Sequence, residues 1–458
     1  MTELLRELPL KSDAIKIDPD SLKTWGKDWT TYFDIKASAV IFPSTTEEVR
    51  QIVLWARRHK VALVPSGGRT GLSGAACATN GEVVVSFDRM NRILDFNPID
   101  QTVLVEAGVI TENLQKYAAE QGLYYPVDFA ARGSSQIGGN VATNAGGIKV
   151  VRYGMTRDWI AGLTVVTGTG EVLYLNRGLI KNATGYDLRH LFIGSEGTLG
   201  FVTEVLVRLA SPPPPLQVLL LACPDLQAVM EVYREFKTTT TLVAFEMFSQ
   251  QALNKVIEAT HLPPPFASQS PFYVVLEVEK RSAQDEEAAL SALENAMSKA
   301  WITDGNVAQS ETQARTFWRY REDIGESLAR YSPYKNDISV AISKVPDFVP
   351  DLDRVLATSY PDWEVIWFGH IGDGNLHINI LRPPGISKED FVRECRKVDE
   401  LVFAAVQKHG GSISAEHGVG LTKKSFLIYS RSQGEIEIMR GIKKVFDPDN
   451  ILNPGKLI

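Results

Sequence analysis

The residues best able to do chemistry in this chain lie in Gly-His-Ile-Gly-Asp-Gly-Asn-Leu-His-Ile-Asn-Ile, residues 369–380. Asp-Gly between apolar runs predicts a hairpin with a two-residue type I′ turn at Asp373-Gly374, because that turn needs positive φ at both central residues. In that register His370 lies opposite His377, and Asn379 shares their face of the ladder. Opposed residues have Cβ atoms about 5 Å apart. The sequence therefore predicts two imidazoles that converge on one point, as a metal ion requires.

The same two histidines admit a second interpretation. Imidazoles that face each other can also form a hydrogen-bonded pair that lines a cleft without any metal. The chain has seven histidines, and a single histidine is most often a surface group or a satisfied core side chain. Spacing alone leaves both interpretations open.

A second segment with reactive side chains is His-Gly-Gly-Ser-Ile-Ser-Ala-Glu-His-Gly-Val-Gly, residues 409–420. Glu416 and His417 stand next to each other among small residues. A charged pair beside glycines is commonly a solvated turn, which is the alternative here. With the two hairpin histidines, however, Glu416 completes a set of two imidazoles and one carboxylate. Such a set leaves coordination positions open and is typical of catalytic zinc and of non-haem iron or manganese.

The elements that must position these residues follow from periodicity. The first half of the chain alternates short β-like runs with turn signals and two amphipathic helices. The predicted strands are 39–41, 62–64, 83–87, 102–107, 163–167, 171–175 and 201–209. The predicted helices are 46–58, with Thr46 as N-cap, and 110–121. This mixture indicates an α+β domain.

A proline run at 212–215 marks a stiff connector and a domain boundary. Beyond it the pattern predicts strands at 216–222, 272–279, 335–342 and 412–415, in addition to the hairpin. The predicted helices are 226–236, 283–300, 317–331 and 388–409. Strands alternating with helices indicate a sheet covered by helices in a separate domain.

Several segments of the first half are dense in glycine and small polar residues. Pro65–Gly74 can offer backbone N–H groups as a nest for a pyrophosphate, although a tight structural turn explains it equally well. It matches neither the dinucleotide fingerprint nor a P-loop. Ser134–Gly147 combines small and amide residues, which suits packing against a flat ring system. With Lys181–Leu188 and Ile193–Gly200, these stretches favour a large phosphate-bearing cofactor.

Composition limits the class of protein. The chain has 458 residues, 44% apolar and 22% charged, which predicts more than one globular domain. A net charge of −7 argues against a broad nucleic-acid footprint. Three scattered cysteines, Cys77, Cys223 and Cys395, favour a reducing compartment. The N-terminus resembles no signal peptide, and no apolar run approaches the roughly 20 residues of a transmembrane helix. We expect a cytoplasmic protein, with peripheral attachment to a membrane left open.

The glycine-rich segments resemble the FAD-binding domain of the vanillyl-alcohol oxidase/p-cresol methylhydroxylase flavoproteins. The likeness covers nearly the whole chain, in the branch with D-2-hydroxyglutarate dehydrogenases, D-lactate dehydrogenases and glycolate oxidase subunits. It is most specific in Gly-Gly-Asn-Val-Ala-Thr-Asn-Ala-Gly-Gly, 138–147, and Gly-Ser-Glu-Gly-Thr-Leu-Gly, 194–200. The resemblance implies FAD, with its pyrophosphate near Ser66–Gly71 and its ring edge near Gly138–Asn144. Some relatives attach the flavin through a histidine where this chain has Arg69, so we expect non-covalent FAD.

The resemblance also implies a fold and a set of cofactor contacts. The fold is α+β, with a two-part FAD-binding domain of the p-cresol methylhydroxylase type and an α+β substrate domain that contains an antiparallel sheet. We expect the FAD domain over 1–210, the substrate and metal domain over 216–424, and a C-terminal segment, 425–458, packed back on the FAD domain. The residues assigned to FAD are Pro65, Ser66, Gly67, Gly68, Arg69, Thr70, Gly71, Ser73, Gly138, Gly139, Asn140, Thr143, Asn144, Gly147, Gly197 and Asn453.

The D-2-hydroxyglutarate dehydrogenase branch holds a divalent ion at matching positions. The resemblance therefore implies His370, His377 and Glu416 as metal ligands, with zinc favoured, His417 as the general base and Asn379 as a substrate contact. The implied reaction oxidises a D-2-hydroxy acid to the 2-oxo acid. The metal acidifies the substrate hydroxyl, the base takes its proton, and hydride passes to flavin N5. D-2-hydroxyglutarate is the favoured substrate and D-lactate the next.

Two cations match positions that bind substrate carboxylates in the family. They are Arg321, on a predicted helix, and Lys335, in a predicted strand, and two cations suit a dicarboxylate. Relatives that act on D-2-hydroxyglutarate tend to carry Thr or Ser four residues after the arginine, where this chain has Gly325. Ser327 lies two residues further along, on the wrong face of a helix. The contact with a distal carboxylate, and hence the choice of D-2-hydroxy acid, stays open.

The electron acceptor is expected to be a quinone, a cytochrome or an electron-transfer flavoprotein, because the chain has no fingerprint for NAD. A homodimer is one open assembly state. Two other functions remain as alternatives: an FAD-binding subunit of a glycolate-oxidase-like complex, and a non-catalytic flavin-binding protein. A base beside an open metal site argues against the second, since a binding protein has no use for it.

Overall fold

The computed structural model describes the backbone of residues 1–458 and the side chains of all but Thr2. The strands, in chain order, are β1 Ile15–Lys16, β2 Ala39–Ile41, β3 Leu63–Ser66, β4 Val83–Ser86, β5 Ile93–Asn97, β6 Thr102–Glu106, β7 Ile160–Thr167, β8 Val172–Leu175, β9 Gly200–Arg208, β10 Leu216–Cys223, β11 Leu242–Ser249, β12 Phe272–Glu279, β13 Asp304–Val307, β14 Tyr334–Ser339, β15 Val365–Gly369 and β16 Asn375–Ile380.

The α-helices lie between these strands, apart from one before β1 and two after β16. They are α1 Thr2–Leu5, α2 Pro19–Trp25, α3 Thr46–His59, α4 Thr111–Glu120, α5 Ile137–Thr143, α6 Val150–Tyr153, α7 Thr156–Trp159, α8 Arg189–Phe192, α9 Leu226–Thr239, α10 Gln250–Thr260, α11 Ala283–Ser298, α12 Glu311–Glu322, α13 Ile324–Ala329, α14 Val345–Ser359, α15 Lys388–Lys408 and α16 Gln433–Phe446. Short 3₁₀ turns occur at Ser12–Ala14, Ile342–Lys344, Ile371–Asp373 and Lys424–Tyr429.

Packing divides the described residues into two compact units. The first comprises Met1–Gly147, Gly154–Pro212 and Glu416–Ile458. It contains a sheet in the order β1-β2-β4-β3, in which β2, β4 and β3 are parallel, and an antiparallel sheet in the order β5-β6-β9-β7-β8. Near-continuous apolar runs form the parallel strands because both of their faces are covered.

The second unit comprises Ile148–Tyr153 and Pro213–Ala415. Its sheet has the order β13-β10-β12-β11-β15-β16-β14, and each neighbouring pair is antiparallel. The predicted antiparallel sheet of this region is thereby confirmed. Apolar side chains of α10, α12 and α13 pack on the sheet face that carries Leu220, Tyr273 and Phe368. The predicted domain boundaries at 210, 216 and 424 stay predictions.

Three local predictions are wrong. The N-cap of α3 is Thr45 rather than Thr46, because Thr45 has the extended backbone that a cap needs and its side chain accepts from Glu48 N at 3.1 Å. The predicted helix 317–331 is two helices, since the chain leaves helical geometry at Asp323, where ψ is −3°. The predicted strand 412–415 is limited to one bridge between Ser412 and Ser339.

Candidate functional site

A cavity in the first unit collects three of the glycine-rich segments of the sequence, whereas no residue of Lys181–Leu188 lines it. Its volume is about 320 Å³, within the range of pockets that hold small molecules. The loop after β3, helix α5 and residues 195–202 contribute to its wall. The predicted cofactor residues that line it are Pro65, Gly67, Gly68, Arg69, Thr70, Gly71, Ser73, Gly138, Gly139, Asn140, Thr143 and Gly197.

The other predicted FAD residues, Ser66, Asn144, Gly147 and Asn453, make protein contacts that shape the backbone. Ser66 Oγ donates to a backbone carbonyl at 3.0 Å, and Asn144 Oδ1 accepts from a backbone N–H at 2.9 Å. A Cβ built on Gly147 would lie 2.3 Å from a backbone oxygen. Asn453 Nδ2 donates to two backbone carbonyls at 2.9 and 2.7 Å. Direct contact of these residues with FAD stays a prediction.

Two features of the cavity wall fit a flat cofactor that forms hydrogen bonds. A Cβ built on Gly139 would meet no atom within 4 Å, so a larger side chain there would enter the cavity. Gln136 Nε2 donates to Asp88 at 2.7 Å, whereas its buried Oε1 has no hydrogen-bond partner among the described residues. A buried acceptor in this state calls for a donor. The ring N–H and the hydroxyl groups of FAD are such donors, so these residues fit FAD.

Arg69 occupies the position at which some similar flavoproteins attach the flavin covalently. Its φ of 61° is uncommon for a residue with a side chain. Its Nη1 donates to the Gly67 carbonyl at 2.9 Å and lies 3.2 Å from the Asp88 carboxylate. The guanidinium carbon lies 5.7 Å from the centre of the Trp25 ring. Arg69 is thus held by protein groups, and non-covalent attachment stays a prediction.

The loop that carries Glu416 and His417 begins the last segment of the first unit. Both side chains line the same cavity as the glycine-rich segments. Glu196 anchors this loop, because its carboxylate accepts hydrogen bonds from Val419 N at 2.7 Å and Gly420 N at 2.8 Å. Burial raises the pKa of Glu196, and the two backbone donors oppose that rise. No role was predicted for Glu196 from the sequence. Its place as the one acid in the glycine-rich segment 194–200 is the feature that could have identified it.

The hairpin of the second unit has a longer turn than predicted. Ile371–Asp373 form a 3₁₀ turn, and Gly374 takes a φ of 85°. The predicted type I′ turn, which needs positive φ at Asp373 as well, is therefore wrong. The Asp373 carboxylate accepts from Asn375 N at 3.0 Å. Such a local bond from an aspartate to the backbone two residues on favours its own turn geometry.

The longer turn changes the register of the ladder. Phe368, rather than His370, pairs with His377, so the predicted opposition of the two histidines is wrong. The shift is by two residues, and an even shift keeps side chains on the same face of a sheet. The ring centres of His370 and His377 are 5.3 Å apart, and both residues are buried. The structure therefore brings the two imidazoles together by a different route.

Each imidazole has a buried carboxylate beside its Nδ1 atom. His370 Nδ1 lies 2.7 Å from Glu246 Oε1, and His377 Nδ1 lies 3.6 Å from Asp337 Oδ1, an ion-pair distance too long for a hydrogen bond. For His370, the hydrogen bond between Nδ1 and a carboxylate directs the acceptor role to Nε2, the common arrangement in histidine metal ligands. Neither acid was predicted from the sequence, although Glu246 interrupts the apolar run Leu-Val-Ala-Phe-Glu-Met-Phe.

Two imidazoles backed by carboxylates are a donor set that fits zinc. Among the predicted ligands, both histidines belong to the second unit and Glu416 to the first. Ala415, the last residue of the second unit, donates its N–H to Asp337 Oδ2 at 3.2 Å. Glu416 is the next residue in the chain, and its role as a ligand stays a prediction.

Arg321 lies at the end of α12 and is 7% exposed. Its Nη2 is 2.7 Å from Glu246 Oε2, and its guanidinium carbon lies 4.9 Å from the centre of the Phe368 ring. Its buried Nε and Nη2 atoms have no hydrogen-bond partner among the described residues, so the contact with Glu246 is an ion pair without hydrogen-bond geometry. A buried guanidinium with an unused donor is suited to an anionic ligand.

Lys335 and Asn379 stand opposite each other in the ladder of β14 and β16, as do Asp337 and His377. Alternate residues of a strand share a face, so these four residues lie on one face of the sheet. Lys335 is accessible to solvent as a whole. The protein around its ammonium group nevertheless lowers the pKa of this lysine through desolvation. Asn379 is 3% exposed.

Comparison with protein families decides the class of this chain. A family described as "FAD linked oxidases, C-terminal domain" matches residues 212–457, and one described as "FAD binding domain" matches residues 37–176. The chain belongs to the FAD-linked oxidase family. The predicted resemblance and the predicted FAD cofactor are thereby confirmed.

Close relatives of this FAD-linked oxidase are known in bacteria. A protein named D-2-hydroxyglutarate dehydrogenase from Stutzerimonas stutzeri is 56% identical over 96% of this chain and 95% of its own length. A protein with the same name from Xanthomonas citri is 54% identical over 97% of this chain and 94% of its own length. The chain therefore spans nearly all of both relatives.

Solved structures of low identity share the fold of this FAD-linked oxidase. The 4-ethylphenol oxidase of Gulosibacter chungangensis is 18% identical, with a TM-score of 0.77 over 100% of this chain and 96% of that chain. A p-cresol methylhydroxylase gives a TM-score of 0.76 at 16% identity, over 100% of this chain and 96% of that chain. The predicted p-cresol methylhydroxylase type of fold is confirmed. Among the helices that the structure describes, none is both long and apolar enough to cross a membrane.

Proposed function

We propose that this chain is an FAD-dependent dehydrogenase that oxidises a D-2-hydroxy acid to the 2-oxo acid, with D-2-hydroxyglutarate as the first candidate. The names of the two bacterial relatives support this substrate. The observation that carries the proposal is the buried Arg321, whose Nε lacks a partner among the described residues, on the sheet face of His377, Lys335 and Asn379. That arrangement suits an anion with several oxygens.

The residues proposed to act on the hydroxy acid are divided by role. His370, His377 and Glu416 would hold a zinc ion, and Asn379 would contact the substrate. Zinc, when bound, supplies a Lewis acid that acidifies an alcohol. His417 would take the hydroxyl proton as a general base. Its position in the wall of the flavin cavity supports this role.

The flavin cavity would hold FAD without a covalent bond. FAD, when bound, supplies the acceptor for the hydride of the alpha carbon. The backbone of the glycine-rich loop would bind the pyrophosphate, and the open space beside Gly139 would admit the ring system. The electrons would then pass to a quinone, a cytochrome or an electron-transfer flavoprotein.

Arg321 and Lys335 are the proposed carboxylate partners. Arg321 can bind a carboxylate through two parallel hydrogen bonds, whereas Lys335 acts as a point charge. Gly325 favours D-lactate as the second candidate. A Cβ at Gly325 would meet no atom within 4 Å, so this position has space but no side chain to hold a second carboxylate.

Anaerobic reduction of the bound flavin tests the function. The purified protein is mixed with D-2-hydroxyglutarate, L-2-hydroxyglutarate, D-lactate and D-malate, and the visible flavin band is followed. We expect rapid bleaching by D-2-hydroxyglutarate, slower or no bleaching by the L-isomer, and loss of bleaching after treatment with a chelator. Stronger bleaching by D-lactate would assign the second candidate.

No bleaching by any of the acids in zinc-supplemented protein would refute the proposal. The glycolate-oxidase-like subunit and the non-catalytic flavin-binding protein would then remain. Activity restored by a cell extract would separate the first of these from the second.

A further inference from the structure

Glu246 is a buried acid that the proposed reaction does not use directly. It lies in β11, an interior strand between β12 and β15, and is 1% exposed. A carboxylate so far from water is costly unless it is paired. Its two oxygens have different partners: Oε1 lies 2.7 Å from His370 Nδ1, and Oε2 lies 2.7 Å from Arg321 Nη2.

We propose that Glu246 is a positioning residue that serves a metal ligand and a substrate cation at once. The proposal rests on the proposed function, because it takes His370 as a zinc ligand and Arg321 as a carboxylate partner. A single rigid group then fixes the distance between the end of the substrate that zinc binds and the end that the arginine binds.

The effect on His370 follows from hydrogen-bond chemistry. An ionised carboxylate only accepts hydrogen bonds, so His370 Nδ1 must donate to Glu246. The neutral ring then has its acceptor lone pair on Nε2, the atom that a zinc ion would bind. Glu246 thus selects the tautomer that can ligate and also fixes the plane of the ring.

The effect on Arg321 follows from its surroundings. The Phe368 ring lies against its guanidinium, with 4.9 Å between the guanidinium carbon and the ring centre. Glu246 occupies the Nη2 corner of the group. This contact is an ion pair without hydrogen-bond geometry, because the buried Nε and Nη2 atoms both lack a hydrogen-bond partner among the described residues. The ion pair with Glu246 therefore fixes the place of the guanidinium, while the unused N–H groups of its Nε and Nη2 atoms remain for a substrate carboxylate.

Glu277 provides a matched control on the same sheet. It is a buried acid of β12, it pairs with Ala244, and alternation places it on the face of Glu246. Its partners are Lys149 and Trp318, whose Nε1 donates to it at 2.6 Å. Neither partner belongs to the proposed zinc or substrate site. Removing the Glu277 charge therefore reproduces the loss of a buried carboxylate, but it should leave the proposed zinc ligand and the proposed substrate cation in place.

The experiment compares wild-type protein with Glu246→Gln, Glu246→Ala and Glu277→Gln. Metal-free holoprotein is titrated with Zn²⁺ by calorimetry, and kcat and KM for D-2-hydroxyglutarate are measured separately. We expect Glu246→Ala to weaken Zn²⁺ binding about 10- to 100-fold, as loss of a supporting acid does, and to raise KM. Glu246→Gln has one accepting oxygen, so it can accept from His370 or from Arg321 but not from both. This variant should therefore impair Zn²⁺ affinity, KM or both. Glu277→Gln should change neither.

Melting temperature and flavin absorbance establish that each variant is folded. If Glu246→Ala does not fold, Glu246→Gln, which keeps the side-chain volume, tests the inference alone. Unchanged Zn²⁺ affinity and KM in the Glu246 variants would overturn the inference. So would equal losses in Glu277→Gln, or wild-type protein that binds no Zn²⁺. Failure of the proposed function is a separate result: no acid would reduce the wild-type flavin, whatever the Zn²⁺ titration showed.

Discussion

The flavin cavity of the first unit and the sheet face of the second unit are built from opposite kinds of groups. The cavity is walled largely by backbone and small residues, and at Gly139 it has space where other residues have a side chain. The sheet face instead carries the buried acids Glu246 and Asp337, and the buried Arg321 of α12 lies against Phe368 of this face. A site made of backbone is sensitive to added atoms. A site made of buried charges is sensitive to the loss of a partner, because the remaining charge is left unpaired.

The same contrast separates the ligands. A large cofactor with a flat ring and a pyrophosphate offers much surface to a backbone cradle. A small hydroxy acid offers little surface, so its recognition must come from charge-assisted hydrogen bonds. We therefore expect the two regions to respond to different kinds of mutation.

The largest effect is expected from added volume in the cavity. Gly139→Leu should abolish FAD binding, because its side chain would extend into space that the structure leaves open beside α5. The absorbance of protein-bound flavin after purification measures the result. Flavin retained at one equivalent would contradict the proposed place of the ring system.

Gly434→Leu is the control for this change. Gly434 also lies in a helix, α16, and a Cβ there would likewise meet no atom within 4 Å. It does not line the flavin cavity. We expect this variant to keep its flavin and its activity, so that the loss in Gly139→Leu is assigned to the cavity rather than to leucine in a glycine position.

The next largest effect concerns a single reactive side chain in the cavity wall. His417→Ala should lower kcat about 10²- to 10⁴-fold, the usual contribution of a general base. Its FAD content should not change, because the backbone cradle remains. Stopped-flow reduction of the flavin measures the rate. His261→Asn is the matched control, since His261 is exposed and ends α10 with a φ of 59°, which asparagine tolerates.

Much of this fold could be predicted from the sequence. Strand 39–41 and strand 272–279 have the predicted bounds, because β-branched and aromatic runs between turn signals leave few alternatives. Glycine-rich segments likewise predicted the cavity wall. Strand β11 was missed, since its continuous apolar run is compatible with a buried helix or a buried strand.

The details of the candidate site could not be predicted, because they depend on contacts between distant segments. The Asp-Gly pair at residues 373–374 is the strongest short hairpin signal, yet the local bond from Asp373 to Asn375 produced a longer turn. Glu246 lies 124 residues before His370 in the chain. Only the order of the strands in the sheet brings them together, and strand order is not encoded in a local pattern.

A moderate effect is expected from the loss of one charge on the sheet face. Lys335→Met should raise KM for D-2-hydroxyglutarate about 10- to 100-fold, since a hydrogen bond to a charged group contributes about 1.5–3 kcal/mol. We propose Lys335 as the partner of the second carboxylate, so KM for D-lactate, which lacks that group, should not change. Steady-state kinetics with both acids measure the difference. Equal rises in both KM values would show that Lys335 does not bind the carboxylate that D-2-hydroxyglutarate has and D-lactate lacks.

The pH dependence of the wild-type protein provides a second test of Lys335. Desolvation lowers the pKa of this lysine, so its positive charge is lost at a lower pH than for an ordinary lysine. Affinity for the distal carboxylate should therefore be full near neutral pH, where the carboxylate is ionised, and fall as pH rises, beginning below the usual range for lysine near 10.5. KM ratios for the two acids across pH, compared with Lys335→Met, measure this effect.

A smaller effect should come from added atoms at Gly325, an exposed position of α13 four residues after Arg321. Gly325→Thr should lower KM for D-2-hydroxyglutarate about 2- to 10-fold, the contribution of one ordinary hydrogen bond. The open space at Gly325 admits the side chain without a clash. At Gly139, by contrast, the open space is proposed to hold the flavin. The melting temperature should not fall. A raised KM with an unchanged melting temperature would show that the space at Gly325 belongs to the substrate.

The smallest effect is expected from charges outside both regions. The Asp351 carboxylate is more exposed than that of Glu246, so it measures how much burial contributes to the effects expected on the sheet face. Asp351 accepts from Lys408 Nζ at 2.6 Å and His409 Nε2 at 2.9 Å, and these bonds lower its pKa from 3.8 to about 2. A lowered aspartate pKa stabilises the fold above about pH 3.8, and this stabilisation is lost as pH falls towards 2. Asp351→Asn should therefore lower the urea midpoint slightly at pH 7, and the difference should close within that acid range. Glu246→Gln, which changes a buried ion pair, should lower the urea midpoint more than Asp351→Asn does. Equal shifts of the two variants at pH 7 would mean that burial does not distinguish the two sets of charges.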